Sequence, residues 1–421
     1  MPARSYIFTP NALRTSARIA VAAITLMVVA ACATDKSGPT DLNSRVGAER
    51  SGVPFSEGLA SPAWQLTART LVSQALYSPV NAGHAYPILA VAQYLAVQKA
   101  EAAINGEGRV RIESDRGAVA GASAAVLTYL FPASAQALED SVTAQANAGP
   151  GQPHPAFAAG EAIGRAVGAE MVARTIGDGF SIFSNPAPPV GPGFWTTNAP
   201  GLPVAGGQFP GIRPWFLTSA SQFRPAAPPA FGSAAFNAGR DEIEHITAVG
   251  TRTPEQVAIA VKWALNPGTP TASGFWLGFA SDQIAARGLS ERDATHVFAL
   301  LSSTMADATV GCWDAKMTYW LVRPWQTDAA INTIALVGRP NHPSYPSGHS
   351  CVSASAGAVI SSFFPDLTNQ LNGMVTEAGL SRMYAGIHYR FDIDAGQALG
   401  RNVAAFTIAA DRSGNSVLTA H

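Results

Sequence analysis

The sequence predicts an all-α protein, and three features carry that prediction. Apolar residues recur at three- and four-residue spacing through most of the chain, on an Ala-rich background. No run of alternating apolar and polar residues competes with that pattern. The helical runs are interrupted by residues 184–232, which hold eleven prolines. With 421 residues, 47% of them hydrophobic, the chain can bury a large core. Only 13% are charged and the net charge is −1, so composition gives no electrostatic case for a nucleic-acid partner.

At the N-terminus, Arg4, Arg14 and Arg18 precede an apolar run over residues 19–31. The run is short for a membrane span and reads as a signal-peptide core. Val29-Ala30-Ala31-Cys32 resembles the bacterial lipobox, in which the chain is cut before the cysteine and its thiol lipidated. Residues 1–31 are therefore expected to be a lipoprotein signal peptide, with Cys32 as the lipidation site. A plain signal peptide followed by a chance cysteine is the alternative. Ala33 after the cysteine resembles the enterobacterial pattern for outer-membrane sorting. Residues 32–60, small and polar, read as a flexible tether. The expectation is an exported, periplasmic lipoprotein that touches the membrane through its lipid only.

An N-terminal helical part, 61–232, follows, with helices expected over 63–76, 86–104, 114–130 and 155–175. Its last stretch is the Pro-rich coil. Phe194, Trp195, Trp215, Phe216 and Phe223 favour an ordered coil wrapped over the helices, placed to help wall a site. Residues 233–421 read as a C-terminal catalytic bundle with helices over 236–249, 254–265, 272–287, 291–321, 350–363, 368–379 and 396–411. Ser290 is the expected N-cap of the fourth, with Asp293 at its third position. The arrangement implied is two packed bundles joined by the coil.

Three segments of the last third concentrate charge in a weakly charged chain. In 313-WDAKMTYWLVRP-324, Lys316 and Arg323 are seven residues apart and, on one helix ended by Pro324, share a face. The apolar residues between them predict burial, and two buried cations require an anion to face. In 343-PSYPSGHS-350, Pro346 and Gly348 shape a turn that leads into a helix start. Such backbone N–H groups, with the Ser347 hydroxyl, suit an anion, and His349 adds a titratable group. In 381-SRMYAGIHYRFDIDAG-396, Arg382 offers a planar fork of donors. His388 and Asp392, four residues apart, suit an imidazole oriented by a carboxylate. Cys312 and Cys351 flank these segments and either pair in an oxidising compartment or stay as buried thiols.

Read in order, Lys-x6-Arg-Pro, Pro-Ser-Gly-His and Ser-Arg-x5-His-x3-Asp resemble the three-part motif of the type 2 phosphatidic acid phosphatase and vanadium haloperoxidase superfamily. The resemblance runs from Lys316 to Asp392 and implies a helical bundle of the haloperoxidase and acid phosphatase type. It implies that Lys316, Arg323, Ser347, Gly348 and Arg382 bind the oxygens of vanadate or phosphate. His388 becomes the vanadium ligand or the phosphate-attacking nucleophile, Asp392 its orienting partner and His349 the acid–base. A phosphoryl group in transfer and a bound vanadate share one geometry, so one cage serves both.

Of the two branches, the sequence leans to the haloperoxidase: vanadate as cofactor, with hydrogen peroxide and halide as reactants and Lys316 polarising the bound peroxide. The wider stretch 342-HPSYPSGHS-350 resembles the vanadium bromoperoxidases, with His342 where the fungal chloroperoxidase carries phenylalanine. Trp313, three residues before Lys316, matches an active-site tryptophan of that chloroperoxidase. His342 and Trp313 are thus candidates for the halide site or its surroundings, against the plainer readings of a loop histidine and a core aromatic. The alternative is an exported acid phosphatase acting on a phosphate ester through a phosphohistidine, with no cofactor. Halide range, organic substrate and oligomeric state have no signal in these residues.

Overall fold

The computed structural model describes residues 58–419 except 105, 150–152 and 415. The signal peptide, Cys32 and nearly all of the tether lie outside the described residues. Thirteen α-helices run through the described residues, with no strand among them. They are α1 (Ala60–Gln74), α2 (Pro79–Ala103), α3 (Arg109–Leu130), α4 (Ala135–Ala146), α5 (Pro155–Ile176), α6 (Ala234–Thr247) and α7 (Pro254–Lys262). After these come α8 (Thr271–Arg287), α9 (Glu291–Tyr319), α10 (Pro324–Thr327), α11 (Gly348–Phe363), α12 (Thr368–Tyr384) and α13 (Arg390–Arg412). None is long and apolar enough to cross a membrane.

Two helices are buried on nearly every side and organise the rest. The middle of α2 carries apolar or small residues around its whole circumference, and α9 is buried from Ala294 to Lys316 save at His296. They pack on each other; α3, α5 and α8 cover α2, while α11 and α13 cover α9. The stretches expected at 61–232 and 233–421 therefore share one core, in which Ile88, Leu89 and Val119 join Phe298, Leu301 and Ile360. Glu291 joins the two at another point. It is 6% exposed, and its carboxylate accepts from the backbone N–H groups of Ala60 and Ser61 at 2.6 and 2.8 Å, capping the start of α1.

Glycine sets the closest helix contact. A methyl added at Gly117 or Gly121 of α3 would meet the carbonyl oxygens of Phe157 or Glu161 at 2.0 and 2.2 Å. One added at Gly164 of α5 would meet the Ala118 oxygen at 2.1 Å. Backbone touches backbone along this seam.

The Pro-rich coil is ordered and strapped to α9. Asp307 accepts from the backbone N–H groups of Trp215, Phe216 and Leu217 at 2.7–3.0 Å. Arg224 grips Asp314 with two hydrogen bonds of 2.6 and 2.8 Å, and the Trp313 indole donates to the Ala205 carbonyl at 2.9 Å. As expected, the coil covers the helices, with Trp195, Phe209 and Trp215 buried.

Several boundaries differ from the sequence reading. The helix expected to reach residue 321 ends at Tyr319, where Trp320 turns left-handed (φ 50°, ψ 32°). The coil causes this: Trp195 donates to the Trp320 carbonyl, Val322 donates to Gly193, and Phe194 and Leu321 form an antiparallel bridge. Arg323 thus lies beyond the helix of Lys316, and the shared helical face predicted for the pair does not exist. Helix α13 starts six residues before the expected 396, because Asp392 reaches back to the Tyr389 N–H. Helix α4 had no strong periodic signal; it buries only Leu138, Val142 and Gln145. Ser290 caps α9 as expected, accepting from the Asp293 N–H at 3.1 Å.

The glycine seam is testable in unfolding experiments. Gly164→Ala drives a methyl into backbone and should lower stability by about 1–3 kcal/mol. Gly373→Ala, on exposed α12 with nothing within 4 Å, should raise it by up to about 1 kcal/mol. Equal melting temperatures for the two variants would contradict the close-approach account.

Candidate active site

The three motif segments converge where the start of α11, the end of α12 and the start of α13 meet α9. Glycine again permits the approach: a methyl at Gly396 would sit 2.7 Å from the Ser347 carbonyl oxygen, and one at Gly400 2.3 Å from that of Cys351. Ser347 is the N-cap of α11, its hydroxyl accepting from the Ser350 N–H at 3.4 Å. Its own N–H donates to the Asp392 backbone carbonyl at 2.9 Å. The second and third motif segments are thereby tied together.

Asp392 is fully buried, and one of its oxygens, Oδ2, organises the site. It accepts from the Ser344 hydroxyl at 2.5 Å, from the Tyr389 N–H at 3.1 Å and from His388 Nδ1 at 2.8 Å. Burial pushes the carboxyl up to about 6, while Ser344, Lys316, the Tyr389 N–H and Arg323 favour its charged form. The His388–Asp392 pair forms as the spacing predicted, but not along a helical turn, since His388 precedes α13 by two residues.

Arg323 fixes the tautomer. A guanidinium only donates, and Arg323 Nη1 lies 3.0 Å from His388 Nε2. Nε2 must therefore carry a lone pair, which leaves the ring proton on Nδ1, facing Asp392. Burial, together with Arg323 and Lys316, holds the ring well below the usual imidazole range. His388 is a neutral imidazole with its lone pair at Nε2.

The three cations are 0–1% exposed, and none touches a carboxylate among the described residues. Their donors are nonetheless spent differently. Lys316 gives all three of its N–H bonds to the carbonyls of Pro343, Ser344 and Pro346, at 2.8, 2.9 and 2.6 Å. It holds the loop that delivers Ser347, Gly348 and His349, and it does not line the cavity in front of them. Arg323 donates to His342 O and Nδ1 and to Ile387 O, besides His388, leaving one N–H of its five. Arg382, in the last turn of α12, donates through Nε to Ser381 Oγ and through Nη2 to Ala260 O. Three of its N–H groups are left, and Arg382 lines the cavity.

That cavity has a volume of about 420 Å³. His388, His349, Gly348 and Arg382 line its inner end, with Trp313 and His342 beside them. The Trp313 and His342 rings lie 5.1 Å apart. His349 Nε2 has no hydrogen-bond partner, and burial with the nearby Arg382 charge keeps that ring neutral as well. His342 is neutral for similar reasons, burial first and then Lys316 and Arg323. Cys312 and Cys351 are free buried thiols. The predicted motif residues are thus gathered, with Lys316, Arg323, Ser347 and Asp392 behind the wall and Trp313, His342, Gly348, His349, Arg382 and His388 on it. Sequence reading missed the Ser344 bond to Asp392, and also Asn266, Ser273, Thr309 and Arg339 on the cavity wall. These lie outside the motif and have no periodic or compositional signal.

Chemically, this is a pocket with excess buried positive charge, free guanidinium donors, the N-terminus of a 16-residue helix and an imidazole lone pair that accepts from Arg323. Those groups suit a tetrahedral oxyanion such as vanadate or phosphate.

Residues 295–413 match the PAP2 superfamily. A non-specific acid phosphatase of Providencia stuartii is 28% identical over 120 residues, 28% of this chain and 48% of that protein, so the match spans about half of that relative's length. The structure of the first bacterial vanadium-dependent iodoperoxidase superposes with a TM-score of 0.70 at 23% identity, over 83% of this chain and 95% of that one. A bacterial vanadium-dependent chloroperoxidase in its apo form gives 0.64 at 14% identity, over 81% and 96%. At these identities the likeness establishes the fold.

Two measurements test the cage. Arg382→Ala should weaken phosphate or vanadate binding by about 1.5–3 kcal/mol, roughly ten- to hundredfold; unchanged affinity would contradict the assignment. The second concerns pH. Burial lowers Lys316 to about 8, so above that pH the empty site loses a positive charge that a bound anion would restore. Calorimetry in buffers of different ionisation enthalpy should show proton uptake on phosphate binding at pH 9. Lys316→Met should reduce that uptake.

Proposed function

We propose that this chain, a member of the PAP2 superfamily through residues 295–413, is a vanadium-dependent haloperoxidase-like enzyme that oxidises halide with hydrogen peroxide. The observation that carries the reading is the buried cage: three cations with no carboxylate partner around a neutral, oriented His388. Vanadate would be held by His388 Nε2, Arg382 and the α11 N-terminus, with the Arg323 N–H now given to His388 Nε2 released to an oxygen. When bound, vanadate supplies a Lewis-acidic centre that activates hydrogen peroxide toward a nucleophilic halide. Asp392 and Ser344 keep the His388 proton on Nδ1. Lys316 keeps the loop in place and adds charge behind it. His349, neutral and with Nε2 free, is ready to take a proton from incoming peroxide. Trp313 and His342, which line the same cavity, are the proposed halide surroundings.

A second reading, an acid phosphatase, is favoured by the Providencia relative. In it, His388 Nε2 attacks phosphorus and His349 protonates the leaving alcohol. Burial and Arg382 keep His349 neutral, so the phosphatase needs its bound anion to restore that proton before the donation. The fold likeness to the iodoperoxidase also spans 83% of the chain, against 28% for the phosphatase match. Both considerations place the peroxidase first. In either case the enzyme acts as an exported lipoprotein, anchored through Cys32.

One preparation assayed two ways separates the readings. With vanadate, peroxide and bromide, a phenolic or diketone acceptor should be brominated, and His388→Ala should reduce the rate to background. Hydrolysis of an aryl phosphate by the vanadate-free protein, with vanadate acting only as inhibitor, would establish the phosphatase instead.

A further inference from the structure

The cavity is far larger than an oxyanion, and its wall outside the motif residues is not uniformly apolar. Ser273 of α8 lines it at 4% exposure, and its hydroxyl has no hydrogen-bond partner among the described residues. Thr309 of α9 lines the same wall, 3% exposed; its hydroxyl proton goes to the Met305 carbonyl at 2.8 Å, so its oxygen can only accept. A methyl added at Gly83 would lie 3.8 Å from each of these two oxygens, so both hydroxyls face α2 at the same point. Asn266, also on the wall, gives its amide protons to the carbonyls of Leu336 and Val337 at 3.0 and 3.3 Å. Its Oδ1 is left with lone pairs alone.

Two acceptors and one hydroxyl that can turn either way repel an anion and match an O–H group. Val80, Ala272 and Val337 supply apolar surface around them. Leaving such polar groups unpaired when an organic molecule fills the cavity would cost binding, which is how a polar subsite discriminates. We infer that Ser273, Thr309 and Asn266 form a subsite for a hydroxyl group of the organic reactant, a phenol or alcohol, while the cage holds the oxyanion. This rests on the reading of the cavity as the reaction site, and it applies to a phenolic halogen acceptor and to the alcohol part of a phosphate ester alike.

The test avoids turnover, so its failure is distinct from failure of either enzymatic reading. Fluorine NMR titration of the full-length protein compares 4-fluorophenol with 1,4-difluorobenzene, in which fluorine replaces the hydroxyl. An apolar cavity favours the difluoro compound. The subsite predicts that 4-fluorophenol binds roughly three- to tenfold more tightly, and that the Ser273→Ala/Thr309→Val double variant loses this preference while keeping its phosphate affinity. Equal binding of the two probes to the unaltered protein, or a preference that survives in the double variant, overturns the inference.

Discussion

Lys316, Arg323 and Arg382 are enclosed by protein, and no carboxylate touches any of them. The desolvation of one such charge costs several kcal/mol unless something compensates it. Much of the local structure is a response to that cost. Backbone carbonyls of residues 343, 344 and 346 converge on the Lys316 ammonium. Those of 342 and 387 converge on Arg323, and that of 260 on Arg382. Carbonyl dipoles solvate the cations without neutralising them, so the site keeps a net attraction for an anion. Asp392, the nearby buried carboxylate, is spent on His388, Tyr389 and Ser344.

This arrangement ties fold to chemistry. The two central helices give α9 a dry environment, and burial of α9 is what removes Lys316 from water. The Pro-rich coil ends α9 at Tyr319 and lets the chain double back, so that Arg323 reaches His388 and His342 from outside the helix. Glycines at 396 and 400 bring α13 against α11 closely enough for Asp392 to meet the Ser347 N–H and the Ser344 hydroxyl. Each of these is a packing event, and together they fix the tautomer of one imidazole.

Much of this was legible in the sequence, for identifiable reasons. Charged residues are scarce in this chain, so Lys316, Arg323, Arg382, His388 and Asp392 stood out, and their order named the site. Helical periodicity gave the main helices, because three- and four-residue spacing reflects burial of one face. What it could not give was the end of α9: residues 320–322 continue the apolar pattern, and only pairing with residues 193–195 overrides it. Nor could it show that Lys316 points into a ring of carbonyls and away from the cavity. Ser273, Thr309 and Asn266 are ordinary helix and loop residues whose importance exists only once three distant segments share a wall.

The central claim, that a buried uncompensated cage is completed by an oxyanion, is tested most directly by thermal unfolding with and without ligand. Phosphate or vanadate at about a hundred times its dissociation constant should stabilise the fold by about 2.7 kcal/mol, seen as a rise of several degrees in Tm, while chloride at equal ionic strength should leave it unchanged. A melting temperature indifferent to both oxyanions would contradict the account.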